Sequence, residues 1–251
     1  MPLGGSQQYL CKYNTYQLPG YVQTETFTSD MNIAEHYADY ADGSLSEYTG
    51  LQNKTLTVDL KVWESTFDEA KEQVQLAATY LRSKRAGFAN LYLQYTDRHY
   101  EALVKSIEVE NQAGRSVRLM DYKINFECKP WLIEDAITTI SGTGTITTDL
   151  VGRTLDDGGW TPATFTIDGT NVTISGYNSA GDFTGYISVS GAVSGLVVNS
   201  EDYTAEISGV NRNDLMLRYA DYQTFVGPGK TTFVITGATA VSISWNNLWY
   251  I

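Results

Sequence analysis

Apolar and polar residues alternate along most of this chain, and the period changes clearly only once. In KTLTVDLKVW, Leu56, Val58, Leu60 and Val62 fall on one side and Thr57, Asp59 and Lys61 on the other, which predicts a half-buried strand. STFDEAKEQVQLAATYLRSK then takes helical spacing, with Phe67, Ala70, Val74, Ala77, Ala78 and Leu81 on one stripe. Thr66 and Glu69 form a capping-box pair. Arg82, Lys84 and Arg85 gather where the helix dipole favours cations, and Gly87 follows as the stop. One helix is expected over about 66–84, with a role inside its own domain. Strands resume at NLYLQY (Asn90–Tyr95), His99–Glu110 and Ser116–Trp131, the last two as a long hairpin around Gln112-Ala113-Gly114. Its buried side is expected to carry Ala102, Val104, Leu119, Ile124, Phe126 and Cys128. Tyr37–Leu51 is polar, aromatic and irregular, so an exposed loop or arm is expected there.

After Trp131 the chain becomes rich in Gly, Thr, Ser and Val. Short strands are expected near Ala136–Ile146, Ala163–Asp168, Asn171–Tyr177, Tyr186–Ser190, Leu196–Asn199, Thr204–Ile207, Thr231–Thr236 and Ala240–Trp245. That spacing is typical of an antiparallel sandwich. Asp168–Asn171 (DGTN) reads as a hairpin turn. Gly227–Gly229 leads into a terminal hairpin that turns at Thr236–Thr239, with Phe233, Ile235, Val241, Ile243 and Trp245 facing the core. The fold class is mainly β, in two domains, 1–133 with the helix and 134–251 as a sandwich.

Charge narrows the choice of partners. The formal net charge is −12; thirteen Lys and Arg stand against seventeen Asp and Glu up to Ile133, and four against twelve beyond it. Such a chain has few cations with which to grip phosphate. The start lacks the basic and apolar runs of a signal peptide, and no stretch is long and apolar enough to span a membrane. Cys11 and Cys128 form no CxxC motif. They read as two buried thiols, with a bridge left open if the first and last strands of one domain lie side by side.

Candidate chemistry is sparse. His36 and His99 read as surface residues, no serine sits in a GxSxG elbow, and Asp156–Gly159 lacks the spaced ligands of a calcium loop. Glu134 and Asp135 read as solvated linker residues. No catalytic, cofactor or metal residue is singled out. Trp160 and Trp249 are the candidate sugar-stacking positions, set against turn or core packing.

The order of the downstream motifs carries a resemblance. Gly144-Thr145-Ile146, Trp160-Thr-Pro162, Ile167-Asp-Gly169 and Ile174 are followed by Asn199, Tyr203, Ile207, Gly209, Phe225, Pro228-Gly229, Phe233-Val-Ile235 and Gly237. Together with the long hairpin running into FECKPWL, this series resembles the distal tail proteins of long-tailed bacteriophages; Lys230-Thr231 stand where that family's pattern has an asparagine. The resemblance implies a ring-forming N-terminal β-sandwich with one helix and a galectin-like C-terminal sandwich. It implies a hexameric homo-oligomer that joins the tail tube protein to baseplate or tip proteins, with DNA passing through the lumen unbound. It also implies a place in the virion, assembled in the bacterial host cytoplasm, with no enzyme activity, no cofactor and no membrane. The C-terminal half has no histidine, so the galectin sugar motif is not carried over. Tyr37, Tyr40, Leu45, Tyr48 and Leu51 are the candidate arm between subunits, with the aromatics of TYQLPGYVQTETF beside them. The alternatives are a tail tube or tube-terminating protein, a carbohydrate-binding module of a receptor-binding device and, last, a glycan hydrolase.

Overall fold

The computed structural model describes residues 10–28, 31–37, 44–51, 53–84, 86–94, 96–109, 119–149, 161–217 and 229–250. The chain divides into two compact units, Met1–Leu132 and Ile133–Ile251. The first holds β1 (Lys12–Tyr13), β2 (Tyr16–Gln17), β3 (Tyr21–Thr28), β4 (Met31–Tyr37), β5 (Ser44–Leu51), β6 (Lys54–Trp63), α1 (Phe67–Ser83), β7 (Ala89–Tyr92), β8 (Arg98–Val109) and most of β9 (Leu119–Gly142). Its strands hydrogen-bond in the order β3-β6-β9-β8-β7-β1-β2, while among the described residues β4 and β5 pair only with each other.

Pattern and packing agree closely along β6. Leu56, Val58, Leu60 and Val62 are all buried, opposite Phe126, Ile124, Tyr122 and Met120 of β9. Each such side chain withdrawn from water contributes on the order of 1.5–3 kcal/mol. α1 starts at an extended Thr66, whose hydroxyl accepts from the Glu69 amide at 3.2 Å while Glu69 Oε2 accepts from the Thr66 amide at 3.1 Å. It buries Ala70, Val74, Ala77, Ala78 and Leu81 and packs against β6 and β8. Three of those five are alanines, which allow a close approach to the sheet. Leu119 departs from expectation: it pairs in register with Trp63, which is 69% exposed, and so lies on the outer face. The inward set of β9 begins one residue later, because side chains alternate strictly along a strand.

The second unit is built on two long bent strands. β11 (Thr164–Tyr177) pairs from end to end with Thr232–Ser244 of β16 (Lys230–Tyr250). The first half of β11 also pairs with β13 (Ala192–Asn199), its second half with β12 (Phe183–Ser188). β14 (Thr204–Ile207) and β15 (Val210–Asn211) extend the β13 side. β10 (Thr145–Asp149) pairs with the first half of β16, and β9 adjoins β16 as well. Each long strand thus serves two sheets.

This corrects two expected hairpins. DGTN and Thr236–Thr239 are not turns between strands; they are bends inside β11 and β16, where register shifts at Asp168/Gly169 and Gly169/Thr173. A Cβ on Gly169 would meet Gly237 O at 2.5 Å, and one on Gly237 would meet Thr170 O and Asn171 O at 2.6 Å. The two strands cross so tightly at the corner that only glycine fits at either position. The core between the sheets includes Phe165, Ile167, Ile174, Leu196, Val198, Phe233, Ile243 and Trp245, with Phe165 and Phe233 edge to face at 5.9 Å.

Candidate assembly surfaces

The expected arm takes the form of a β-hairpin. β4 pairs with β5 through Met31↔Leu51, Ile33↔Tyr48, His36↔Leu45 and Tyr37↔Ser44. The irregular-looking Tyr37–Leu51 segment is therefore strand over its second half, because its partner is the upstream MNIAEHY. Of the five candidate arm residues, Tyr37, Leu45, Tyr48 and Leu51 lie on these strands, and Tyr40 falls outside the described residues.

The outer face of the first unit's sheet is a ladder of paired charges. Thr24 Oγ1 donates to Asp59 Oδ2 at 2.5 Å, and Lys123 Nζ stands 3.5 Å from Asp59 Oδ1. Lys61 Nζ lies 3.8 Å from Asp121 Oδ1. Lys105 pairs with Glu127, and Lys129 with Glu101. Asn53 Nδ2 also donates to Glu127 Oε1 at 2.7 Å, so the Lys105 bond first and the Asn53 bond second hold that carboxyl below its ordinary range. The four lysines named each face a carboxylate, and pairs this exposed contribute about 0.2–1 kcal/mol apiece.

At one end of this sheet lies an aromatic groove of about 380 Å³, bounded by Leu10, Tyr16, Tyr21 and Trp63. Tyr16 stacks on Tyr80 of α1 with ring centroids 4.4 Å apart, so one of the exposed-looking aromatics of TYQLPGYVQTETF serves the fold, while Tyr21 remains 47% exposed.

Among the described residues no group of three or more His, Cys, Asp or Glu could hold a metal ion, and no helix is long and apolar enough to cross a membrane. Cys11 and Cys128 are free and buried; burial pushes the Cys128 thiol up to about 12 and Cys11 also upward, so both stay protonated and inert. Lys54, the register partner of Cys128, is buried too, and loss of water lowers its pKa. His99 packs its ring on Tyr92 at 5.4 Å.

Trp249 is partly buried within β16, whereas Trp160 and the Asp156–Gly159 loop fall outside the described residues. Glu134 is no solvated linker residue: Asn247 Nδ2 donates to its Oε2 at 2.7 Å, Asn246 Nδ2 donates to its carbonyl at 2.8 Å, and Trp245 Nε1 donates to Asn247 Oδ1 at 3.2 Å. Sequence reasoning missed this network because its acid and its amides stand more than a hundred positions apart.

No protein-family model matches the chain, and no curated protein matches it in sequence. Solved structures do match. The chain superposes on the Dit protein of phage SPP1, described as a paradigm of the hub adsorption apparatus in phages that infect Gram-positive bacteria. The TM-score is 0.72 at 12% identity, covering 96% of this chain and 98% of that one. A chain of the phage p2 baseplate in its activated conformation with strontium aligns at a TM-score of 0.51 and 9% identity, over 97% of this chain and 98% of that one. The fold is that of phage hub and baseplate proteins.

Proposed function

We propose that this chain is a structural subunit of a phage tail, the distal tail protein at the end of the tail tube. Copies close into a ring of six. The first unit forms the ring, and the second is a galectin-like sandwich facing outward. The partners are further copies of the chain, the tail tube protein and the baseplate or tip proteins, in a virion assembled in the host cytoplasm. No bond is made or broken, and function comes from fit between surfaces.

The observation that carries this reading is the extent of the structural likeness to the SPP1 hub protein, over 96% of this chain at a TM-score of 0.72. A likeness that long includes both units in the same order, not one common sandwich. Two features add support. Among the described residues the β4–β5 hairpin pairs with no further strand, which suits an arm reaching a neighbour through Tyr37, Tyr40, Leu45, Tyr48 and Leu51. With 29 acidic and 17 basic residues, a wall of such chains would let DNA pass without gripping it. Light scattering on the purified full chain tests the reading: a species of six times 27.8 kDa is expected, and single copies at every concentration would overturn it.

A further inference from the structure

One edge of the first unit's sheet carries a carboxylate oxygen that no described residue satisfies. β3 pairs with β6 along one side, and among the described residues no strand occupies its other side. Register sets Glu25 opposite Val58 and Phe27 opposite Leu56, and both partners are buried, so Glu25 lies on the core-facing side of the edge strand. Its Oε2 is shielded from solvent and has no hydrogen-bond partner among the described residues. Just before it, the register slips between Val22 and Thr24, a bulge in the edge.

A bulge and an inward-pointing charge both keep stray strands off an open edge. An exposed lysine would do so without an unsatisfied buried oxygen, which is among the costlier defects a fold can hold. The extra cost of a carboxylate makes sense if something completes it. The occupant that fits is a second copy of this chain. Among the described residues β3 is an open edge strand of eight residues, and the arm has strands of seven and eight residues, β4 and β5. Isolated two-stranded hairpins are marginal in water. The arm follows β3 directly in the chain and, among the described residues, pairs in a separate sheet rather than with β3, which leaves that edge for a neighbour's arm.

We propose that β3 accepts a strand from a second copy and that Glu25 selects it. The carboxylate admits a strand that presents an N–H, O–H or cationic donor beside residue 25, and it penalises one that does not. This inference rests on the ring reading above. It predicts an opposed pair of effects, since a residue unsatisfied alone and satisfied in the assembly costs the single copy while stabilising the ring.

The test uses the full chain with Glu25→Gln, Glu25→Leu and the exposed helix control Glu72→Gln. Association is followed by sedimentation velocity over a dilution series, and thermal unfolding is measured on the dissociated chain. Both Glu25 variants are expected to raise the concentration at half-assembly roughly tenfold or more. The dissociated chain should unfold at the same or a higher temperature, and Glu72→Gln should change neither quantity. Rings that form undiminished in the Glu25 variants would show a guard and no acceptor, and would sink the proposal while leaving the ring intact. A dissociated chain that loses stability in step with assembly would also sink it, because Glu25 would then be a structural residue. Wild-type protein that never associates would refute the ring and this inference together.

Discussion

Gly237→Ala tests the two-sheet corner directly. β16 passes from one sheet of the second unit to the other at Gly237, where φ is +74°. A side chain there incurs two costs. The left-handed backbone costs a residue with a Cβ about 1–2 kcal/mol. The new carbon would also sit 2.6 Å from both Thr170 O and Asn171 O, and these carbonyls belong to β11, itself held by pairing to β16. Moving packed backbone to relieve such overlap costs about 1–3 kcal/mol. The sum, about 2–5 kcal/mol, is a large part of the 5–15 kcal/mol typical of a domain. Gly209 supplies the internal comparison: its φ is +75°, yet nothing lies within 4 Å of an added Cβ. Gly209→Ala should therefore show the dihedral cost alone. Urea unfolding followed by far-ultraviolet circular dichroism, with tryptophan fluorescence reporting on buried Trp245, measures both variants. Equal losses for the two would refute the interlocked corner and restore the hairpin reading of Thr236–Thr239.

Three further outcomes follow from local geometry. Thr66→Ala removes the hydroxyl that accepts the Glu69 amide, and thermal unfolding should record a loss of about 1 kcal/mol, with Thr66→Ser recovering most of it. Cys11 and Cys128 should resist a thiol reagent at neutral pH in the folded chain and react fully in denaturant; rapid labelling of the folded protein would contradict their burial. Glu127 is held below its ordinary pKa by Lys105 and Asn53. Its contribution is therefore present above the unfolded carboxyl's pKa and lost as pH falls through the lower folded value. Lys105→Met should flatten that part of the acid-stability curve by about 0.2–1 kcal/mol.

How far the sequence could be read depended on whether the deciding contacts were local. The capping box of α1 was legible because Thr66 and Glu69 are three residues apart, and the inward set of β6 because alternation needs only its own residues. Phe233, Ile235, Val241, Ile243 and Trp245 were recognisable as core for the same reason, and all five are buried. Connectivity was not legible. Gly169 and Gly237 carry the marks of hairpin turns, yet each is needed because the other strand presses on it from nearly seventy positions away. β9 was divided at the composition change after Trp131, whereas it continues to Gly142. The segment Tyr37–Leu51 was not legible as half of a hairpin, since β4 supplies the other half of the pairing. The unsatisfied oxygen of Glu25 leaves no trace in sequence, where Glu25 is one polar residue in an alternating run.

The central claim is that this chain works by closing on copies of itself. Negative-stain images of the purified full-length protein test it most directly. The account predicts closed rings of six subunits around an open centre; fields of separate single copies, or open-ended tubes of indefinite length, would contradict it.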